Sequence, residues 1–223
     1  MDELSADEFV YVGALRVPRG EALAAAHAYL NPAAGVHFAY PAYEAYQPHH
    51  DPDQLDDADL LAPVLLNVNR LSLQAYYGLR GKCGELGVLL RKISRDARLE
   101  DAGDDGLNAL GSMFAVLDGD GLPGVGGSIL AKILHRKRPG FIPLYDDNVR
   151  HCYRDAAGAP IPRDSKRAWA EFGVLLGKAI RHDLEIQLET WREICAYAPG
   201  PAITPLRALD IVAWHAGRRS SRR

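Results

Sequence analysis

The chain is predicted to be mainly α-helical, on three observations. Apolar residues recur at helical spacing in many separate segments. Only Phe9-Val10-Tyr11-Val12 reads as a short strand, and the Pro-, His- and Tyr-rich stretch from Pro32 to Pro52 has no regular period. Taken in order, Glu21–Leu30 is an alanine-rich helix, and Asp56–Asn67 opens with acidic residues suited to a first turn before Leu60, Leu61, Val64 and Leu65. Gly84–Ser94 and Leu107–Leu117 follow. A further helix starts after Gly126, with Val125, Ile129, Leu130, Ile133 and Leu134 on one face. His135-Arg136-Lys137-Arg138 closes it with cations that suit a helix C-terminus, and Pro139-Gly140 stops it. Phe141–Tyr145 returns as an extended apolar segment, and Asp146 stands at the N-terminus of a new helix. Ser165–Ile180, Asp183–Tyr197 and Pro205–Ala216 complete the helical set.

Length and composition agree with one globular domain. The 223 residues are 48% hydrophobic and 25% charged, ample for a core. No apolar run is long enough to span a bilayer, and Met1-Asp2-Glu3-Leu4-Ser5 is too acidic for a signal peptide, so a cytoplasmic protein is expected. Cys83, Cys152 and Cys195 are far apart and too few for a four-thiolate cluster, which points to reduced structural thiols and no iron–sulfur centre. The net charge of −3 is unevenly spread: residues 1–120 carry a net −10 and residues 121–223 a net +7. Nucleic-acid affinity follows local phosphate neutralisation, so the acidic overall balance allows salt-sensitive binding through the basic half.

Residues 121–150 concentrate the chemistry. In Leu122-Pro123-Gly124-Val125-Gly126 two glycines permit a tight turn, and the helix that follows offers unpaired N–H groups to a phosphate oxygen. Gly121 to Ser128 also fits the spacing of a nucleotide P-loop, but Gly127 replaces the lysine that reaches the terminal phosphates and no buried strand precedes it. That alternative is rejected. Asp146 follows 20 residues after Gly126.

The turn, its helix, the proline-containing return and Asp146-Asp147-Asn148-Val149 resemble the helix-hairpin-helix signature of the base-excision DNA glycosylase superfamily, closest in wording to its adenine glycosylase branch. Asp57-Ala58-Asp59-Leu60-Leu61-Ala62, Leu130–Leu134 with Arg138-Pro139, and Leu206–Trp214 are similar to an uncharacterised bacterial domain family carrying a glycosylase-like hairpin. The resemblance implies a helical glycosylase-like fold over 1–223, with an acidic arm and Pro/Tyr/His-rich loop at 1–55, the hairpin and acid at 104–155, and a basic tail at 217–223. It implies monofunctional N-glycosidic hydrolysis with Asp146 as the catalytic carboxylate. Ser128 occupies the place of the Schiff-base lysine of bifunctional relatives, so no lyase step, cofactor or metal is implied. Gly124, Gly126, Gly127 and Ser128 would grip the DNA backbone, with Lys132, Lys137 and Arg150 as further phosphate partners. The segment Asp118-Gly119-Asp120-Gly121 departs from the usual direct entry into the hairpin.

Plainer readings stand beside these. Asp146 can be only a helix N-cap, and Asp147 can exchange that role with it. Phe38, Tyr40, Tyr43 and Tyr46 could stack on a base, though such rings more often fasten an irregular segment to a core. His49-His50-Asp51-Pro52-Asp53 has metal-ligand residue types but crowded spacing. Trp169, Trp191 and Trp214 read as core. The alternative to an enzyme is a non-catalytic helix-hairpin-helix module that grips DNA or a protein.

Overall fold

The computed structural model describes residues 8–46, 51–119 and 122–221. The acidic start, the His49-His50 pair, Asp120-Gly121 and the last two arginines lie outside them. The fold is mainly helical. Strand β1 (Phe9–Val12) pairs antiparallel with β2 (Leu15–Pro18), and α1 (Arg19–Leu30) follows without a break. The short α2 (Ala42–Ala45) sits within the proline-rich stretch, before α3 (Asp57–Leu61), α4 (Leu73–Leu90) and α5 (Asp104–Phe114). Helix α6 (Gly127–His135) leads to α7 (Asp147–Arg150), which runs on as a π turn over His151–Asp155, and α8 (Trp169–Ile186), α9 (Leu188–Cys195) and α10 (Pro205–Ser220) end the chain.

Local chemistry explains most boundaries. Asp56 caps α3 in a full capping box with Asp59, and Pro63 then converts the expected long helix into a 3-10 turn over Ala62–Leu66 that ends at Asn67 in the left-handed region. Ser72 caps α4, which begins well before the expected Gly84 because Ala75, Leu79, Leu86 and Leu90 form one buried helical face that runs past its glycines. The division between α8 and α9 falls at Gln187, five residues later than the sequence suggests. Strand β2 was not expected; Gly13 at φ +60° and Ala14 turn the chain back. Helix α10 runs through Arg218 and Arg219, so half of the basic tail is helical.

One core runs through the molecule. Helix α5 lies along α8, whereas α6 packs against α3 and the 62–66 turn, so the helices on either side of the glycine turn take different partners. The inserted segment has a structural use: both carboxylate oxygens of Asp118 accept the first amides of α8, from Trp169 at 2.7 Å and Ala170 at 3.1 Å. Helix α10 is buried on nearly all sides and packs on α1, α7 and α9. Its Gly217 lies directly on the backbone of Asn148, where a methyl group would meet the Asn148 carbonyl. Trp191 is fully buried and the three cysteines are free. No helix of the described residues is long and apolar enough to cross a membrane.

Candidate functional site

The basic run at the end of α6 faces inward. Arg138, 1% exposed, donates to the carbonyls of Ile93, Pro52 and Leu90 and pairs with Asp53. Arg136 donates to the carbonyls of Tyr43 and Tyr46. Lys137, expected on a phosphate, is buried against Asp59, with Nζ 2.6 Å from Oδ2. These cations fasten residues 43–46 and 52–59 onto the end of α6, because buried positive charge is stable only when paired. Tyr40 and Tyr43 serve the same fastening: both rings are buried, and the Tyr43 hydroxyl donates to the Lys132 carbonyl at 2.6 Å. Of the metal-ligand types in 49–53, Asp53 is spent on Arg138 and Arg95.

The glycine turn is built as a reversal. Gly124 takes φ +78°, which strongly favours glycine, and the Val125 amide closes the turn onto the Leu122 carbonyl at 2.8 Å. The first helical bonds come from Ile129 and Leu130 to the Gly126 carbonyl. No described residue accepts from the amides of Gly126, Gly127 or Ser128. Gly126 is exposed and Ser128 half-buried, but Gly127 is covered: a Cβ there would stand 2.5 Å from the Trp169 ring. Arg150 pairs with Asp147 and Asp155 and keeps part of its side chain in solvent.

Asp146 and Asp147 separate cleanly. Asp147 is an exposed carboxylate paired with Arg150. Asp146 is the α7 N-cap, its Oδ1 accepting from the amides of Asn148 at 2.9 Å and Val149 at 3.0 Å. Both bonds use one oxygen. No described residue donates to Oδ2, and the side chain borders a cavity of about 150 Å³. An apolar cavity of about that size holds a benzene ring in another protein core.

Four parts of the fold close this cavity. Tyr29 and Phe38 stack at 4.8 Å on one side, and Trp214 meets Phe38 edge-on at 6.5 Å. Lys132 enters from α6, about 7.5 Å along the axis from the helix start. Its Nζ donates to the Leu66 carbonyl at 3.1 Å, so it belongs to the cavity wall rather than to an outer phosphate-binding face. Burial lowers the Lys132 pKa below the usual lysine value, while the carboxylates of Asp146 and Asp210 oppose that shift. From α10 come Arg207 and Asp210, both buried.

Arg207 is the hub of a buried network. Its Nε donates to Glu44 at 2.6 Å, its Nη2 to the Tyr29 hydroxyl at 3.0 Å, and its Nη1 to Asp210 Oδ2. Burial lifts the Asp210 carboxyl to about 6 against the pull of Arg207, and the negative charge of Asp146 pushes the same way. Two carboxylates in unlike environments therefore face one space, a condition under which acid and base roles can divide. Sequence reasoning missed Tyr29, Arg207, Asp210 and the wall position of Trp214, which it assigned to the core. One signal was present: Arg207, Asp210 and Trp214 are spaced i, i+3, i+7 on one face of a helix whose residues 205–214 are otherwise apolar.

These features define a mainly helical protein with a partly open cavity lined by acids and aromatic rings, and a glycine turn at the start of the helix that carries Lys132. The chain belongs to the family described as "Family of unknown function (DUF6308)", whose model matches residues 22–217. No curated protein and no solved structure matches the chain.

Proposed function

We propose that the protein binds DNA and acts as a monofunctional N-glycosylase that removes one damaged or modified base. The observation that carries this reading is the position of Asp146: a residue in the wall of a cavity of about 150 Å³, with one carboxylate oxygen fixed by backbone amides and the other free of donors among the described residues. Cleavage of a base from its sugar develops positive charge on the sugar ring. A fixed carboxylate beside that ring stabilises the charge and orients water for attack. To reach it the nucleotide leaves the stack, and the aromatic walls formed by Phe38 and Trp214 receive the base. The amides of Gly126 and Ser128, with Gly124 setting the turn and Arg150 nearby, hold the flanking phosphates. Lys132, in the cavity wall, contacts the flipped nucleotide itself. Ser128 in place of a lysine on the hairpin leaves no lyase step.

The test is incubation of purified protein with duplexes carrying a panel of base lesions, followed by alkali cleavage at abasic sites. Asp146→Asn keeps the helix cap and removes the charge, so product formation should fall by about 100-fold or more. Salt-sensitive duplex binding with no abasic product from the wild type would instead assign the chain as a non-catalytic hairpin module.

A further inference from the structure

Behind the Phe38 ring lies a second pocket of about 330 Å³. It shares Tyr29, Phe38, Ile211, Trp214 and Arg218 with the Asp146 cavity, so the two spaces are neighbours across one aromatic partition. Its outer wall is α1, where Ala25 and Ala28, one turn apart, leave room for a flat ring. The cations at the rim are not equivalent. Arg219 is paired with Glu21, whereas Arg218 is exposed, has no carboxylate partner among the described residues, and lies over the Trp214 ring at 5.2 Å. Arg218 borders both spaces. An acid-lined, aromatic-walled cavity and a larger, mainly apolar pocket that share one exposed guanidinium match two bases joined by an anionic link.

We infer that the second pocket receives the base adjoining the one in the Asp146 cavity, with Arg218 on the phosphate between them. The recognised unit is then a two-nucleotide segment of a single strand rather than one isolated base. This rests on the nucleic-acid reading given above.

The experiment is calorimetric titration of the whole protein with the four deoxynucleoside monophosphates and with the dinucleoside monophosphates built from them. Stacking of a second base should tighten binding by about tenfold or more. Ala28→Phe fills the second pocket from its exposed side, and should bring dinucleotide affinity down to the mononucleotide level while mononucleotide affinity stays as in wild type. Arg218→Gln should weaken the dinucleotide as well, and thermal melting of both variants establishes that they are folded. Equal affinity for mono- and dinucleotides, or dinucleotide binding untouched by Ala28→Phe in a folded variant, overturns the second pocket while leaving the first. Tight binding of a pyrophosphate-linked dinucleotide without the strand segment also overturns it, by assigning the two pockets to a free coenzyme. If no nucleotide binds, the nucleic-acid reading and this inference fall together.

Discussion

Asp146 and Asp210 face the same cavity from opposite supports, one carboxylate held by the first amides of α7 and the other by the Arg207 guanidinium of its own helix. The first is placed by backbone, so its position follows from helix geometry. The second depends on a buried charge network, so its protonation responds to the whole site.

Asp146 should separate chemistry from stability. Asn can accept the same amide bonds, so Asp146→Asn should unfold within about 0.5 kcal/mol of wild type, while Asp146→Ala should lose about 1 kcal/mol with the cap. Urea denaturation of the pair reads this directly, and equal losses in both variants would show that the charge rather than the cap supports the fold.

Asp210 has a folded-state pKa raised by burial to about 6, from the ordinary carboxylate value of 3.8. The folded protein therefore binds this proton more readily than the unfolded chain, and the stability contributed by protonation is lost as pH rises from about 4 to 6. The contribution has a slope of at most about 1.4 kcal/mol per pH unit. Asp210→Asn should remove that slope, which is measured as the difference between the two proteins in denaturation midpoints across this range.

His135 works in the other direction. It is buried, its Nδ1–H donates to the Ile142 carbonyl at 2.6 Å, and burial holds its pKa at about 3, below the ordinary imidazole value of 6.5. Its neutral form is the folded form, so stability present above pH 6.5 is lost as pH falls towards 3. His135→Asn, whose amide can keep the bond to Ile142, should be less acid-sensitive than wild type. The Asp210→Asn variant, relieved of the opposing slope, should be more so; thermal melts at pH 4 to 7 compare the three.

Arg138→Lys should behave as a severe substitution despite keeping the charge. A lysine cannot reproduce the planar set of bonds to Ile93, Pro52, Leu90 and Asp53, and the loss should be about 3 kcal/mol or more. A chemical denaturation curve superimposable on wild type would contradict the fastening role of the basic run.

Gly217→Ala should loosen the site from behind. The added methyl collides with the Asn148 carbonyl, two residues beyond Asp146, and overpacking of this kind costs about 1–3 kcal/mol. Amide exchange of Asn148 and Val149 should speed up in the variant, because these are the amides that Asp146 holds.

The amino-acid order alone determined what depends on near neighbours. Apolar spacing marked α1, α5, α6 and α10, Pro139-Gly140 ended α6, Gly124 made the turn, and Asp146 opened a helix, all interactions within a few residues. Only the tertiary structure decided what those pieces face. The cations of 136–138 read as a basic stripe, yet they turn inward because residues 43–46, 52–59 and 90–93 offer them carbonyls and carboxylates. The choice between Asp146 and Asp147 required α10 to lie behind α7, since which neighbour borders a cavity depends on the opposite wall. That wall comes from Phe38, Lys132, Asp210 and Trp214, spread over 177 positions and brought together by burial of α10, a long-range event that no local spacing encodes.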